Sequence, residues 1–527
     1  MSSNSFLFKT SEWLNKPIAI SCMLLLHLVL AVIGNQYKDV NGDERGYMIY
    51  AARTLKGETN RIKFDDSKSS LIAVAYIPRI VQQLLNPGLE KTDYGDSDIL
   101  SGRYIIIAIS LVLIFYLWLL LKQLNLPYSM LAMPFAVIDP LWLTYSSLIL
   151  SDLFVGLFTT ILIYHSWQFY QKRNFKDLII ASVAIGLGFV AKFSFIPVLF
   201  GFGIGILIML NKKLFTKPAI LHFVKAGAIS IFISLVVINL SYPTDSRFKS
   251  LSQNEYKSKR LNSLKNSWLA KIPVPVPQNL VQAVDLLSYH GQPDLAAKQF
   301  TYAGGVFIFN NFYPAQTVWY YYWALLVFKM PLFIFLLFLL GCFFSITQRH
   351  KYSILFLSAF IVIFYLFYGG FFNPFQIGTR HLMAIYPLVF TIAGFGIYKL
   401  SQIISNNAFK TLMITGSIWV LFSIGYYFPF TISYTNELIL DKKIAFRYFV
   451  PGVNDYTLSD NYVHDFKIKN PEYTNLEDGK KDNSKIAITM GRLFRKVYVE
   501  KDPKAIELWN RKPDEVKRFV LLIYHEK

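Results

Sequence analysis

Residues Ile18–Gly34 read IAISCMLLLHLVLAVIG, and eight residues on the chain reads GDERGYMIYA, Gly42–Ala51. The first stretch is uncharged and long enough to cross a hydrocarbon core as a helix. The second is hydrophilic and carries an adjacent acidic pair, Asp43 and Glu44. Carboxylates just past a membrane span sit at the water–lipid boundary, where they can do proton chemistry on a lipid-borne substrate. The first apolar run is too long for a signal-peptide core and lacks a small-residue cleavage site, so no cleaved leader is expected.

The same alternation of apolar and polar stretches recurs along the chain. The 527 residues are 54% hydrophobic, 17% aromatic and only 16% charged, with a mean hydropathy of +0.37. Soluble domains are closer to a quarter charged. Apolar runs predict eleven spans near 18–34, 103–121, 126–145, 148–170, 178–192, 195–210, 219–240, 330–346, 352–370, 381–400 and 411–430. The fifth and sixth meet at KFSFIP, Lys192–Pro197, where the lysine and proline mark a break. The expected fold class is a polytopic α-helical membrane protein. A polar tail follows from residue 431, predicted to be a small α/β domain with strands at KIAITM, GRLFRKVYVE and RFVLLIYHE and a helix near Pro503–Trp509. The expected domains are therefore a membrane domain over residues 1–430, with long loops at 35–102 and 241–315, and a soluble domain over residues 431–527.

Loop charge orients the bundle. Lys122, then Lys172, Arg173 and Lys176, then Lys212, Lys213 and Lys217, then Arg349 and Lys351, then Lys399 and Lys410 all fall in alternate connections. The positive-inside rule makes that side cytoplasmic, along with the N-terminus. Both long loops and the C-terminal tail are then extracytoplasmic. The net charge of +20 is read as topology and contact with membrane lipids rather than nucleic acid, because no basic block or nucleic-acid motif is present. Cys22 and Cys342 lie inside apolar runs, which argues against a disulfide framework. His165, His222 and His290 lack ligand spacing, and the TVWYYYW cluster before residue 324 reads mainly as an interfacial belt, with the lining of a binding groove as its lesser reading.

On that count Asp43, Glu44, Asp152, Lys192, Lys329 and Arg380 share the extracytoplasmic face. A single charge at a helix end usually snorkels or anchors its span, but a charge at membrane depth needs a partner. Three carboxylates and three cations together imply a polar cavity that holds an anionic group beside a base.

The order of these segments resembles the GT-C integral-membrane glycosyltransferases, in particular family 39, the protein O-mannosyltransferase and aminoarabinose-transferase type. The run GDERGYMIYAARTLKGE is similar to that family's first external loop. IDPLWLTYSSLILSDLF, with Asp152, is similar to the segment of its second acidic residue. GLGFVAKFSFIPVL is similar to its glycine-rich span ending in lysine, and GTRHLMAIYPLVFTIAGFG to its arginine-led span. Two departures stand out: His381 occupies the place of the usual tyrosine, and the long loop has no room for an inserted sugar-binding domain.

The resemblance implies a GT-C-like bundle and a glycosyltransferase whose donor is a polyprenyl-phosphate-linked sugar. The acceptor hydroxyl would belong to a protein, lipid or glycan. Asp43 would be general base in an inverting single displacement, with Glu44 and Asp152 in supporting catalytic roles. Arg380, Lys192 and Lys329 would bind the donor phosphate. No cofactor is implied and metal independence is the expectation, though carboxylates on that face leave room for a cation such as Mg²⁺. The alternative from a different class is a transporter of lipid-linked sugar or polysaccharide. The two halves of the chain show no repeat, which disfavours it.

Overall fold

The computed structural model describes residues 6–525 except 59, 65–70, 89–94, 210–216, 243–246, 293–304, 315, 450, 456 and 474–484. Lys212 and Lys213 of the sequence reading lie outside the described residues. The chain is mostly helical, and the expected apolar runs fall on helices. Five described helices are long and apolar enough to cross a membrane: Pro17–Asn35, Asp96–Gln123, Leu221–Leu240, Ser353–Phe372 and Asn406–Tyr427. Shorter apolar helices include Phe195–Met209 and Leu332–Thr347. Their outward faces carry exposed Phe200, Leu207, Ile231, Phe232 and Phe422, as a lipid-facing surface requires. The protein is a multi-pass membrane protein.

The third expected span, 126–145, is not one helix. A 3₁₀ turn at Ser129–Leu131 leads into Ala132–Ile138, and a separate helix runs Pro140–Tyr145. Pro140 disfavours helix at the residue before it. Asp139 instead caps the second piece, accepting from Trp142 N at 3.0 Å. The KFSFIP break occurs as expected: Phe175–Ala191 stops at an extended Lys192 (φ −170°, ψ 144°), and the next helix begins at Phe195.

Close helix packing relies on small residues. A Cβ on Gly396 would collide with the Leu337 carbonyl, and one on Gly341 with that of Ile392. The helices Leu332–Thr347 and Tyr386–Ile403 can approach only because both positions are glycine.

Beyond the last long helix the chain forms a three-stranded antiparallel sheet of β3 (Lys485–Thr489), β4 (Glu515–Lys517) and β5 (Leu521–His525), in the order β3-β5-β4. The helix expected near residues 503–509 is present as Pro503–Asn510. GRLFRKVYVE is helical rather than a strand, because Thr489 caps a helix over Met490–Arg495 by accepting from Arg492 N. The long loop contributes a hairpin, β1 (Gly305–Ile308) and β2 (Asn311–Pro314). Phe307 on β1 packs against Phe494, Tyr498 and Trp509, with ring centroids 5.1, 5.3 and 5.6 Å away. The aromatic cluster expected as a belt becomes the helix Tyr321–Lys329. Tyr321 and Tyr322 are buried in it, and Trp319 just before it is exposed.

Candidate active site

Asn41 begins the arrangement. Its side chain accepts from Glu44 N, while Glu44 Oε2 accepts from Asn41 N, closing a capping box at the start of the helix Gly42–Leu55. Such reciprocal bonds satisfy donors that a helix start leaves open. The box turns the two acidic neighbours in different directions. Glu44 is fully buried and grips Arg103, with Nε–Oε1 at 2.8 Å and Nη2–Oε2 at 2.6 Å. It also accepts from Ile149 N at 3.1 Å. Asp43 instead faces a cavity of about 750 Å³ and pairs with Arg380 at 2.5 Å.

Arg380 arrives on the turn Thr379–Ala384. Gly378 before it holds φ +156°, a conformation side-chain-bearing residues rarely adopt. Thr379 bonds Tyr145 at 2.8 Å and Tyr365 donates to the His381 carbonyl at 2.9 Å, fixing the turn on both sides. A second ion pair lies beside the first. Lys192, on its extended break, donates to Asp152 Oδ1 at 2.6 Å. Asp152 is the first residue of the helix Asp152–Lys172 and is 3% exposed at its side chain, against 23% for Lys192. Tyr47 ties the two acidic helix starts together through Ser151 at 3.1 Å. His381 lines the same cavity within electrostatic range of Lys192, Asp152, Arg380 and Asp43.

The fold thus brings Asp43, Asp152, Lys192 and Arg380 to one place. It keeps Glu44 behind the wall with Arg103. Lys329 is also elsewhere: buried, it donates to the Ile432 carbonyl at 3.0 Å and to Asn454 Oδ1 at 2.8 Å. Tyr47, Arg61 and Tyr365, which sequence reasoning passed over, also line the cavity, as do His290, set aside there as a metal ligand, and Tyr322 of the TVWYYYW cluster, where groove lining was the lesser reading. Arg103 was legible as an arginine at the lip of an apolar run, the signature of a charge needing a buried partner. The tyrosines were hidden in aromatic-rich spans where nothing separates a lining residue from a packing one. The apolar side of the cavity includes Phe189, Val190, Leu280, Leu287 and Phe372. Among the described residues no three His, Cys, Asp or Glu side chains group as metal ligands.

A cavity bordered by two ion pairs and lined in part by apolar side chains, in a multi-pass helical bundle, suits an amphiphile with an anionic head. Residues 93–238 match the family model described as dolichyl-phosphate-mannose-protein mannosyltransferase, a family of GT-C membrane glycosyltransferases. The match takes in Arg103, Asp152 and Lys192 and covers a little over a quarter of the chain. No curated protein matches the sequence.

Proposed function

We propose that the protein transfers a sugar from a polyprenyl-phosphate donor to an acceptor hydroxyl at the extracytoplasmic face of the membrane. The observation that carries this reading is the Asp43–Arg380 pair on the wall of a half-apolar cavity. The donor's isoprenoid would run along Phe189, Leu280 and Phe372, with its phosphate at Arg380 and Lys192. An arginine fork matches phosphate oxygens two at a time, and lysine adds a point charge. Each cation rests on a carboxylate, so the incoming phosphate enters an electrostatically prepared site without isolating a buried charge.

Asp43 then accepts the acceptor's proton as its oxygen bonds to the anomeric carbon from the face opposite the phosphate. The bond from that carbon to the phosphate oxygen breaks, and polyprenyl phosphate leaves with the electron pair. One displacement inverts the anomeric centre. Arg380 and Lys192 neutralise the charge that grows on the leaving group, the kind of preorganised stabilisation that carries most of such catalysis. Asp152 holds Lys192 in line, and Glu44 fixes the base by anchoring its helix. Lys329, held by Ile432 and Asn454, supports the frame of the site from outside the cavity. The membrane domain, residues 1–430, would perform the chemistry, with the tail 431–527 covering it.

Purified protein given labelled polyprenyl-phosphate sugar and acceptor should release polyprenyl phosphate. Asp43→Asn should stop release while retaining the donor. Sugar carried across sealed vesicles without release of polyprenyl phosphate would overturn the enzyme reading in favour of transport.

A further inference from the structure

The segment Lys259–Ile272 of the long loop contributes only Arg260 to the cavity. From Tyr256 to Val284 the chain has five cations, Lys257, Lys259, Arg260, Lys265 and Lys271, and no acidic residue. The segment folds as a short helix, Lys259–Lys265, followed by a turn over Trp268–Lys271. Between these cations it holds out apolar side chains: Trp268 is 73% exposed, Ile272 49%, Leu269 47% and Leu264 41%.

Its height relative to the bilayer follows from its neighbours. The Pro275 carbonyl accepts from Asn239 Nδ2 at 2.9 Å, and Asn239 is in the last turn of a helix long and apolar enough to span. Leu280, just beyond, packs with Val190, Ile238 and Tyr242 at the ends of two neighbouring helices. These contacts tie the chain just after the patch to the end of a spanning helix, close to where hydrocarbon gives way to headgroups. An indole is most stable at that level, and lysine stems reach outward from it to phosphate.

We propose that Lys259–Ile272 is an interfacial anchor that binds anionic phospholipid headgroups of the leaflet beside the cavity. Trp268, Leu269 and Ile272 insert at the boundary of headgroup and acyl chain. Lys259, Lys265 and Lys271 contact the headgroup phosphates. Acid-free basic charge together with exposed aromatic and aliphatic surface fits an anionic lipid surface, and the proposal stands independently of the transferase reading.

The test uses full-length protein in lipid nanodiscs, with Cys22 and Cys342 replaced and an environment-sensitive dye on Trp268→Cys or, separately, on Ile272→Cys. The expected result is blue-shifted emission, quenched by brominated lipid and more strongly by brominated phosphatidylglycerol than by brominated phosphatidylcholine. In K259Q/K265Q/K271Q the preference for the anionic lipid should fall by on the order of fivefold per lysine at low salt. Quenching by phosphatidylcholine should persist, showing that the patch is still folded and inserted. Water-like emission at both positions would overturn the anchor. Blue-shifted emission that no lipid quenches would assign the patch to a second copy or another protein and overturn it equally. Equal quenching by both lipids, unmoved by the glutamines, would overturn the anionic recognition.

Discussion

Asp43 keeps a third of its side chain exposed beside Arg380, whereas Glu44, one residue on, is fully buried against Arg103. Their consequences on substitution should differ in kind. Asp43→Asn removes a base and keeps its shape, so turnover should fall about 10²–10⁴-fold with donor affinity retained; titration with labelled donor separates the two. Arg380→Ala should weaken donor binding about 10–100-fold, the loss of a charged hydrogen-bonding partner, and unchanged affinity would remove it from the phosphate role. Glu44→Gln leaves the Arg103 guanidinium buried without its counter-charge, so the main loss should be stability, of about 3–5 kcal/mol, read as a lowered melting midpoint in detergent.

Asp455 offers a pH effect with the opposite sign to most carboxylates. Burial pushes its carboxyl up to about 7, opposed by a hydrogen bond from Ser459 and reinforced by Asp460 and Asp39. The unfolded carboxyl ionises near ~3.9, so between those values the folded chain binds the extra proton. The resulting stabilisation is complete below the unfolded value and is lost as pH rises through about 7. Asp455→Asn should raise the melting midpoint at mildly alkaline pH, with a gain that shrinks toward zero on acidification.

At the scale of elements, the capping box positions Asp43, the proposed base. Asn41→Ala should cost the helix Gly42–Leu55 about 1 kcal/mol and lower turnover through Asp43, with Asn41→Ser restoring much of both; equal activity in all three proteins would show that the helix start needs no cap. Hydropathy made the apolar helices and the Lys192 break legible, because uncharged length and proline act locally. The division of the third run was written in Asp139–Pro140, a capping residue before a proline, but apolar neighbours on both sides masked it. GRLFRKVYVE alternates enough to resemble a strand. Its helix depends on the Thr489 cap and on aromatic contacts with β1, which is far away in sequence.

Across the whole molecule, charges at the ends of apolar runs disclosed Asp43, Asp152, Lys192 and Arg380, since each needs a partner wherever the helices bring one. Direction was not legible. Nothing in the spacing of Glu44 or Lys329 tells that one turns toward Arg103 and the other toward Asn454. If loop charge sets the orientation as proposed, a cysteine at exposed Lys56 should react with an impermeant maleimide from outside intact cells. Labelling only after permeabilisation would invert the assignment.

The Asp43–Arg380 pair joins residues 337 positions apart. At ~10 residues per second, the ribosome delivers the arginine on the order of half a minute after the aspartate. During that interval Asp43 has been synthesised while the cavity lacks its turn at Thr379–Ala384. If Asp43 and Arg380 act as proposed, the order of synthesis is a safeguard: a nascent or truncated chain that holds only the early helices has the proposed base without the proposed phosphate site until the last third of the protein has joined the bundle.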